Sequence, residues 1–511
     1  MYCIFNNFIL KLNKVLELGL AIHSFFYYSG KYMFGKLIKY DNLNGGVSVK
    51  YLGDKVSDLN IAYIGGGSKG WAWGLMSDLA TERQLSGTIK LYDINYQAAY
   101  NNELIGNKLK DLDNINGKWN YKAVKTLEES LTGADFVIIS ILPGTFKEMA
   151  SDVHEPEKYG IYQPVGDTVG PGGLMRALRT IPMYVEIAQA IKKYSPNAWV
   201  INYTNPMTLC TAALYKVFPE VKAFGCCHEV FGTQKLLGEM LDEMMGIPDA
   251  QRDDIKVNVL GINHFTWLDS ATYKGIDLFP LYEEFVDKYY ETGFEKGGQE
   301  NWMNSHFSSR QRVKFDLFRR YGLIAAAGDR HLAEFCPPWY LNNPENVEKW
   351  KFSLTPVSWR VQHKKELDEK AEKLAGGSLT FEINQTGEEG VKQMKALLGL
   401  GDLITNVNIP NQGQMQGVPL GAVVETNAFF SRDGIKPVMA GKLPAEVQNL
   451  VIRHVYNQIT ILKAALEKDK RRAFSAFVND PLVTIGIEDA RKLFEAMLHN
   501  TREYLPGWDI I

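Results

Sequence analysis

Residues 59–70 read LNIAYIGGGSKG, a short and continuously apolar run that passes directly into glycines. The run Leu59–Ile64 has the length and composition of a buried strand, and a helical pattern begins just after Gly70. A Gly65-x-Gly67-x-x-Gly70 spacing set between a strand and a helix predicts a dinucleotide site. The first glycine permits the turn, the second admits the pyrophosphate to the backbone, and the third allows helix and strand to pack closely. The helix N-terminus adds amide donors and a positive dipole for the phosphates. Gly65, Gly66, Gly67, Ser68 and Gly70 are therefore the candidate cofactor-binding residues. Asp93 closes the next apolar run, Ile89–Tyr92, 23 positions beyond Gly70. A carboxylate there accepts from both ribose hydroxyls and repels a 2′-phosphate, which predicts NAD rather than NADP.

Working outward, apolar runs recur at Ala134–Leu142 and Ala198–Tyr203, closed by Pro143-Gly144 and by Thr204-Asn205-Pro206, with a helical segment at Thr180–Tyr194 between them. Nearly continuous apolar strands alternating with helices predict an α/β, doubly wound, Rossmann-like parallel sheet covered on both faces, over residues 58–230. From Phe231 the pattern changes to longer amphipathic helices, with a strand at Val257–Leu260 and a helix at Val451–Glu467. This predicts a mixed α+β second domain, 231–511, that binds substrate and metal. Residues 1–57 read as an N-terminal extension. Its apolar stretch Phe8–Tyr28 is interrupted by Lys11, Lys14 and Glu17, so no membrane span is expected, and Met33 is a candidate natural start.

Lys and Arg total 56 against 59 Asp and Glu, without a long block of either sign, which excludes a general nucleic-acid or anionic-membrane role. A small molecule is the expected partner. The cysteines, Cys3, Cys210, Cys226, Cys227 and Cys336, are odd in number and not framework-spaced, which fits a reducing cytoplasm.

Two segments carry chemistry beyond the nucleotide: Cys226-Cys227-His228-Glu229, and Asn263-His264 behind the Val257–Leu260 strand. One cysteine and one distant histidine make a poor zinc site, which requires three or four protein ligands. Together with Gly166-Asp167-Thr168-Val169-Gly170-Pro171-Gly172-Gly173, Asn202-Tyr203-Thr204-Asn205-Pro206, Gly328-Asp329-Arg330-His331 and the stretch from Asn408 to Val424, these motifs resemble glycoside hydrolase family 4 from about Leu59 to Pro444. The family's glycosidases depend on NAD and a divalent metal, and their fold is similar to that of lactate and malate dehydrogenases.

The resemblance implies that Cys227 and His264 hold a divalent cation, usually Mn2+, leaving positions open for sugar hydroxyls. It implies a sequence in which NAD takes hydride from C3 and a base removes the C2 proton. Elimination then expels the C1 group, water adds, and the hydride returns. Asp329 matches the proton acceptor and His228 the proton donor of the α-acting members. Asn205 matches a residue that holds the sugar near C2 and C3. Asp167 and Thr168 stand where relatives carry a Glu-Thr pair, so their contacts with the sugar are open. The Cys227-His228-Glu229-Val230 form most resembles the branch acting on α-uronides, particularly α-galacturonides. Among Arg310, Arg312, Arg330 and His331, Arg330 is the expected partner of the uronate carboxylate. Relatives form dimers and tetramers, so a homo-oligomer is expected.

Taken singly, Cys227 and His264 read equally as buried structural side chains, and Asp329 as a helix cap. A family 4 enzyme on neutral glycosides and a 2-hydroxy-acid dehydrogenase are the alternative enzymes. A non-catalytic NAD sensor is the alternative outside enzymes.

Overall fold

The structure, a computed structural model, describes residues 49–112, 115–295 and 309–510. The Phe8–Tyr28 stretch and the Met33 start lie outside the described residues. Among the described residues no helix is long and apolar enough to cross a membrane.

The first strands are β1 (Lys50–Leu52), β2 (Lys55–Ile64), β3 (Leu85–Tyr92), β4 (Lys118–Val124), β5 (Phe136–Ile139), β6 (Trp199–Asn202) and β7 (Lys222–Gly225). Strands β4-β3-β2-β5-β6-β7 lie side by side and parallel, the strand order of doubly wound dinucleotide folds. The order reverses between β2 and β5, and the glycine loop emerges from β2 at that crevice, as the sequence predicts. β1 pairs antiparallel with β2, so the sheet begins inside the segment read from sequence as an extension.

The remaining strands are β8 (Ile255–Ile262), β9 (Phe265–Tyr273), β10 (Ile276–Asp277), β11 (Ile324–Ala325), β12 (Leu403–Pro410), β13 (Val423–Ser431) and β14 (Gly434–Pro437). β8 to β11 form a smaller antiparallel sheet. β12 returns to pair antiparallel with β7 at Asn408 and Gly225, and β13 and β14 follow it. The long sheet therefore draws strands from both sides of residue 230. Helices Val357–Gly376 and Gly390–Leu397 also return, packing Ala371, Leu374 and Met394 against Ile61, Tyr63 and Leu91 of the first sheet.

Two sequence-derived boundaries move. Of Ala134–Leu142 only Phe136–Ile139 is strand, because the chain then turns and Ile141 N donates to Thr204 Oγ1 at 2.9 Å. The helix expected from Thr180 starts at Gly170, since Pro171 is tolerated in a first turn and Gly172 and Gly173 disguise it as loop. Behind the β8–β9 hairpin, Phe265 and Trp267 are fully buried, each worth roughly 1.5–3 kcal/mol of transfer energy.

Candidate active site

The glycine loop is built for close approach. Gly65 has φ +91°, and a Cβ there would lie 1.9 Å from Ser140 O. A Cβ on Gly66 would lie 2.8 Å from Leu91 Cα, and one on Gly67 would lie 2.7 Å from Ala98 Cβ. The close packing expected of Gly70 thus falls to Gly66, because a Cβ on Gly70 would meet nothing within 4 Å. Gly67 N donates to Asp93 Oδ2 at 2.9 Å, tying the loop to the carboxylate just after β3. Asn102 was not singled out from sequence, yet its Nδ2 donates to Gly66 O at 2.8 Å and Ser68 O at 2.9 Å. These residues fit a dinucleotide, because a backbone cradle without Cβ atoms at a helix N-terminus is what a pyrophosphate needs.

The second centre is assembled from distant segments. Asn263 and His264 are the two residues joining β8 to β9, and His264 adopts φ +66°, a left-handed conformation unusual for a side chain of this size. The hairpin is braced from the long sheet. Glu425 of β13 accepts from Asn263 Nδ2 at 3.2 Å and from Asn406 Nδ2 at 2.7 Å. Ligand atoms of Asp167, His264 and His331 lie within 4.8 Å of one another, a spacing that suits one cation. Thr168 Oγ1 donates to Asp167 Oδ1 at 2.7 Å and lies 3.0 Å from His264 Nδ1. A hydroxyl has one proton, so Nδ1 must carry the hydrogen of the second bond, leaving Nε2 with its lone pair. His331 Nδ1 is buried with no hydrogen-bond partner among the described residues. That orphaned nitrogen and the carboxylate beside it fit a divalent metal.

Charges in the cluster agree with this. Burial would raise Asp167, but the surrounding charges, that of Arg176 foremost, outweigh it and hold the carboxyl below the usual range. Burial, then His331, pushes His264 down to about 3, which keeps the ring neutral and able to ligate. Asn205 Nδ2 donates to Asp167 Oδ2 at 3.1 Å, so Asn205, Asp167 and Thr168 form one wall.

The sulfur of Cys227 is not a member of the three-residue cluster. Cys227 is buried and bonded to Asn263, and burial with Glu425 and Glu229 nearby pushes its thiol well up. Cys226 points into the first-sheet core beside Tyr203.

His228 stands at the mouth, its side chain 52% exposed, with Nδ1 2.8 Å from Glu388 Oε1. That bond leads the effects that raise its imidazole to about 9, so the ring carries a proton at neutrality. Glu229 accepts from Gly328 N at 2.7 Å and is held at about 2, burial being outweighed by the neighbouring His331 and His228 and by that hydrogen bond. Trp71, directly after the glycine loop, packs at a tilt on Tyr203, 5.0 Å between centroids, and lies 6.0 Å from the His228 ring, joining the two centres.

Asp329 is fully buried. Its Oδ1 accepts from Lys314 N at 3.0 Å, its Oδ2 has no partner among the described residues, and burial lifts it to about 6. Arg330 is differently placed from its expected role. Nε donates to Ser353 O at 3.0 Å and Nη2 to Pro164 O at 2.6 Å and to Thr355, so the guanidinium fastens the loop that carries Asp167. Glu334 fastens the same loop, accepting from Val165 N at 2.6 Å and Gly166 N at 2.9 Å. Glu229 carried no role of its own in the motif read from sequence, and Glu334, Glu388 and Glu425 were missed, since isolated glutamates carry no signal.

Models of the family 4 glycosyl hydrolases match residues 60–243, and those of the family's C-terminal domain match residues 259–483. The chain belongs to glycosyl hydrolase family 4. An alpha-galacturonidase of Thermoanaerobacterium saccharolyticum is 65% identical over 463 residues, covering 90% of this chain and 100% of the relative. One from Bacillus subtilis is 55% identical, covering 87% of this chain and 97% of its own length. The crystal structure of the Bacillus subtilis protein lplD is 55% identical and superposes with a TM-score of 0.83 over 86% of this chain and 100% of the other. A 6-phospho-alpha-glucosidase from gut microorganisms, solved with NAD and Mn2+, shares the fold at 20% identity, with a TM-score of 0.74 over 88% of this chain and 100% of the other.

Proposed function

We propose that this family 4 glycosyl hydrolase cleaves α-linked uronides, α-galacturonides first, using NAD and a divalent cation, with Mn2+ the expected ion. The observation that carries the reading is the convergence of Asp167, His264 and His331 beside His228 and Glu229, at the end of the glycine cradle. The uronide is favoured by similarity to alpha-galacturonidases along nearly the whole chain.

When bound, the dinucleotide supplies reversible hydride chemistry and the cation supplies Lewis-acid polarisation of a sugar oxygen. His264, Asp167 and His331 would hold the ion, with Cys227 the further ligand implied by resemblance. Asn205 orients hydroxyls from the Asp167 wall. Asp329, desolvated and with one oxygen unpartnered, takes the proton from the sugar carbon. His228, protonated through Glu388, gives a proton to the leaving oxygen. Arg330 acts by fixing the loop that bears Asp167.

A panel of nitrophenyl glycosides and natural uronides, assayed with NAD, Mn2+ and a thiol reductant and with each omitted in turn, tests this. Hydrolysis of α-galacturonides that needs all three, without accumulation of NADH, is the expected result. Accumulating NADH with a hydroxy acid would instead identify a dehydrogenase.

A further inference from the structure

Lys314 lies on the helix Arg312–Tyr321 and is 2% exposed, yet it forms part of the wall of a cleft of about 680 Å³ shared with His228, Glu229, Gln311, Gly328 and Glu388. Its Nζ donates to the hydroxyl of Thr233 at 2.9 Å, and Thr233 is itself fully buried. No described carboxylate comes within 4.0 Å of the ammonium, although Asp329, Glu229 and Glu239 lie near enough to favour its charge. An amine taken out of water without an anion in contact is costly, and burial outweighs the more distant carboxylates and draws it down to about 8. A ligand that brings a carboxylate into contact completes such a group.

The other cations suggested by sequence are engaged by protein acceptors. Arg312 donates to Tyr290 O at 2.8 Å and Lys349 O at 2.7 Å and pairs with Glu291 at 3.0 Å. Arg310 pairs with Glu295 at 3.6 Å, and Arg330 grips the carbonyls of Ser353 and Pro164. Lys314 is also tied to the chemistry, because its own backbone N–H donates to Asp329 Oδ1. A cleft of this volume accommodates a sugar whose carboxylate meets the ammonium while its ring lies beside His228 and Gly328, the neighbour of Asp329.

We infer that Lys314, held by Thr233, is the residue that selects a uronate: its ammonium takes the substrate carboxylate and makes a neutral sugar a poor ligand. This rests on the uronide reading above. The test is calorimetric titration of galacturonate and of galactose into the protein saturated with NAD and Mn2+, for the wild type, Lys314→Met and Thr233→Val. The wild type is expected to prefer galacturonate. Lys314→Met should lose roughly 10- to 100-fold in galacturonate affinity with galactose affinity unchanged, as for a charge-assisted hydrogen bond. Thr233→Val, which leaves the charge and loosens its holder, should lose less and serves if Lys314→Met does not fold. An equal loss for both sugars, or none for either variant, would overturn the role of Lys314 while leaving the uronide reading intact. A wild type without preference for galacturonate would overturn the uronide reading, and the inference with it.

Discussion

The glycine cradle and the Asp167–His264–His331 centre are both small, polar and buried among apolar elements, but they are made in opposite ways. The cradle is local: residues 65–70, with Asp93 and Asn102 close behind, bond mainly to one another. The metal centre is brought together from residues 167–168, 205, 227–229, 263–264 and 328–331, and braced by Glu425 from a strand later still. A local motif needs only its own backbone geometry. A dispersed one needs the whole fold, so side chains outside the chemistry, such as Glu425 on Asn263 and Glu334 on the Asp167 loop, are needed to hold it.

The sharpest separation of the two regions should come from Gly67→Val. Its side chain would collide with Ala98 and with Asp93 Oδ2, 2.9 Å from the built Cβ. NAD affinity, followed by NADH fluorescence, should fall by roughly 100-fold or more as the backbone loses its approach to the pyrophosphate. Mn2+ affinity should stay within a few-fold. Loss of both together would show that the centres are not separable.

His331→Asn should act in the reverse sense. Mn2+ binding, read by electron paramagnetic resonance, should weaken by roughly 10- to 100-fold while NADH binding persists. An unchanged Mn2+ affinity would remove His331 from the ligand set and leave Cys227 with His264.

The smallest effect probes the bracing. Burial lifts Glu334 to about 8, above its ordinary 4.5, so the fold favours its protonated form. The cost of ionising it appears as pH rises above 4.5 and is complete above about 8. Glu334→Gln keeps an acceptor for Val165 and Gly166 and removes that cost. Between pH 6 and 9 the wild type should therefore lose roughly 2–5 °C more in Tm than the variant. Parallel melting curves would show that ionising Glu334 does not carry that cost.

The same contrast explains what could be read in advance. The strand, glycine loop and Asp93 carry their meaning in adjacent residues, and the parallel sheet follows from runs such as Leu59–Ile64 and Ala198–Tyr203. Motif order pointed to His264, Asp167, Asn205, His228 and Asp329 as a set. It did not place His331 beside His264, at 3.8 Å between ring centroids, and it offered Arg330 as a carboxylate partner where the fold uses it on backbone carbonyls. Nor did period or composition reveal that β12 to β14 continue the first sheet, since an apolar strand late in a chain does not state which edge it will join.

By itself, then, the amino-acid order determined the doubly wound half, the nucleotide cradle and the residue types of the second centre, because backbone sterics and apolar periodicity act over a few residues. The tertiary structure alone decided which of those residues meet, which cations are already engaged by carbonyls, and which buried ammonium, that of Lys314, has no carboxylate in contact among the described residues. Proximity across hundreds of residues and the desolvation that accompanies it are properties of the packed chain, and they arise only once every element has found its neighbours.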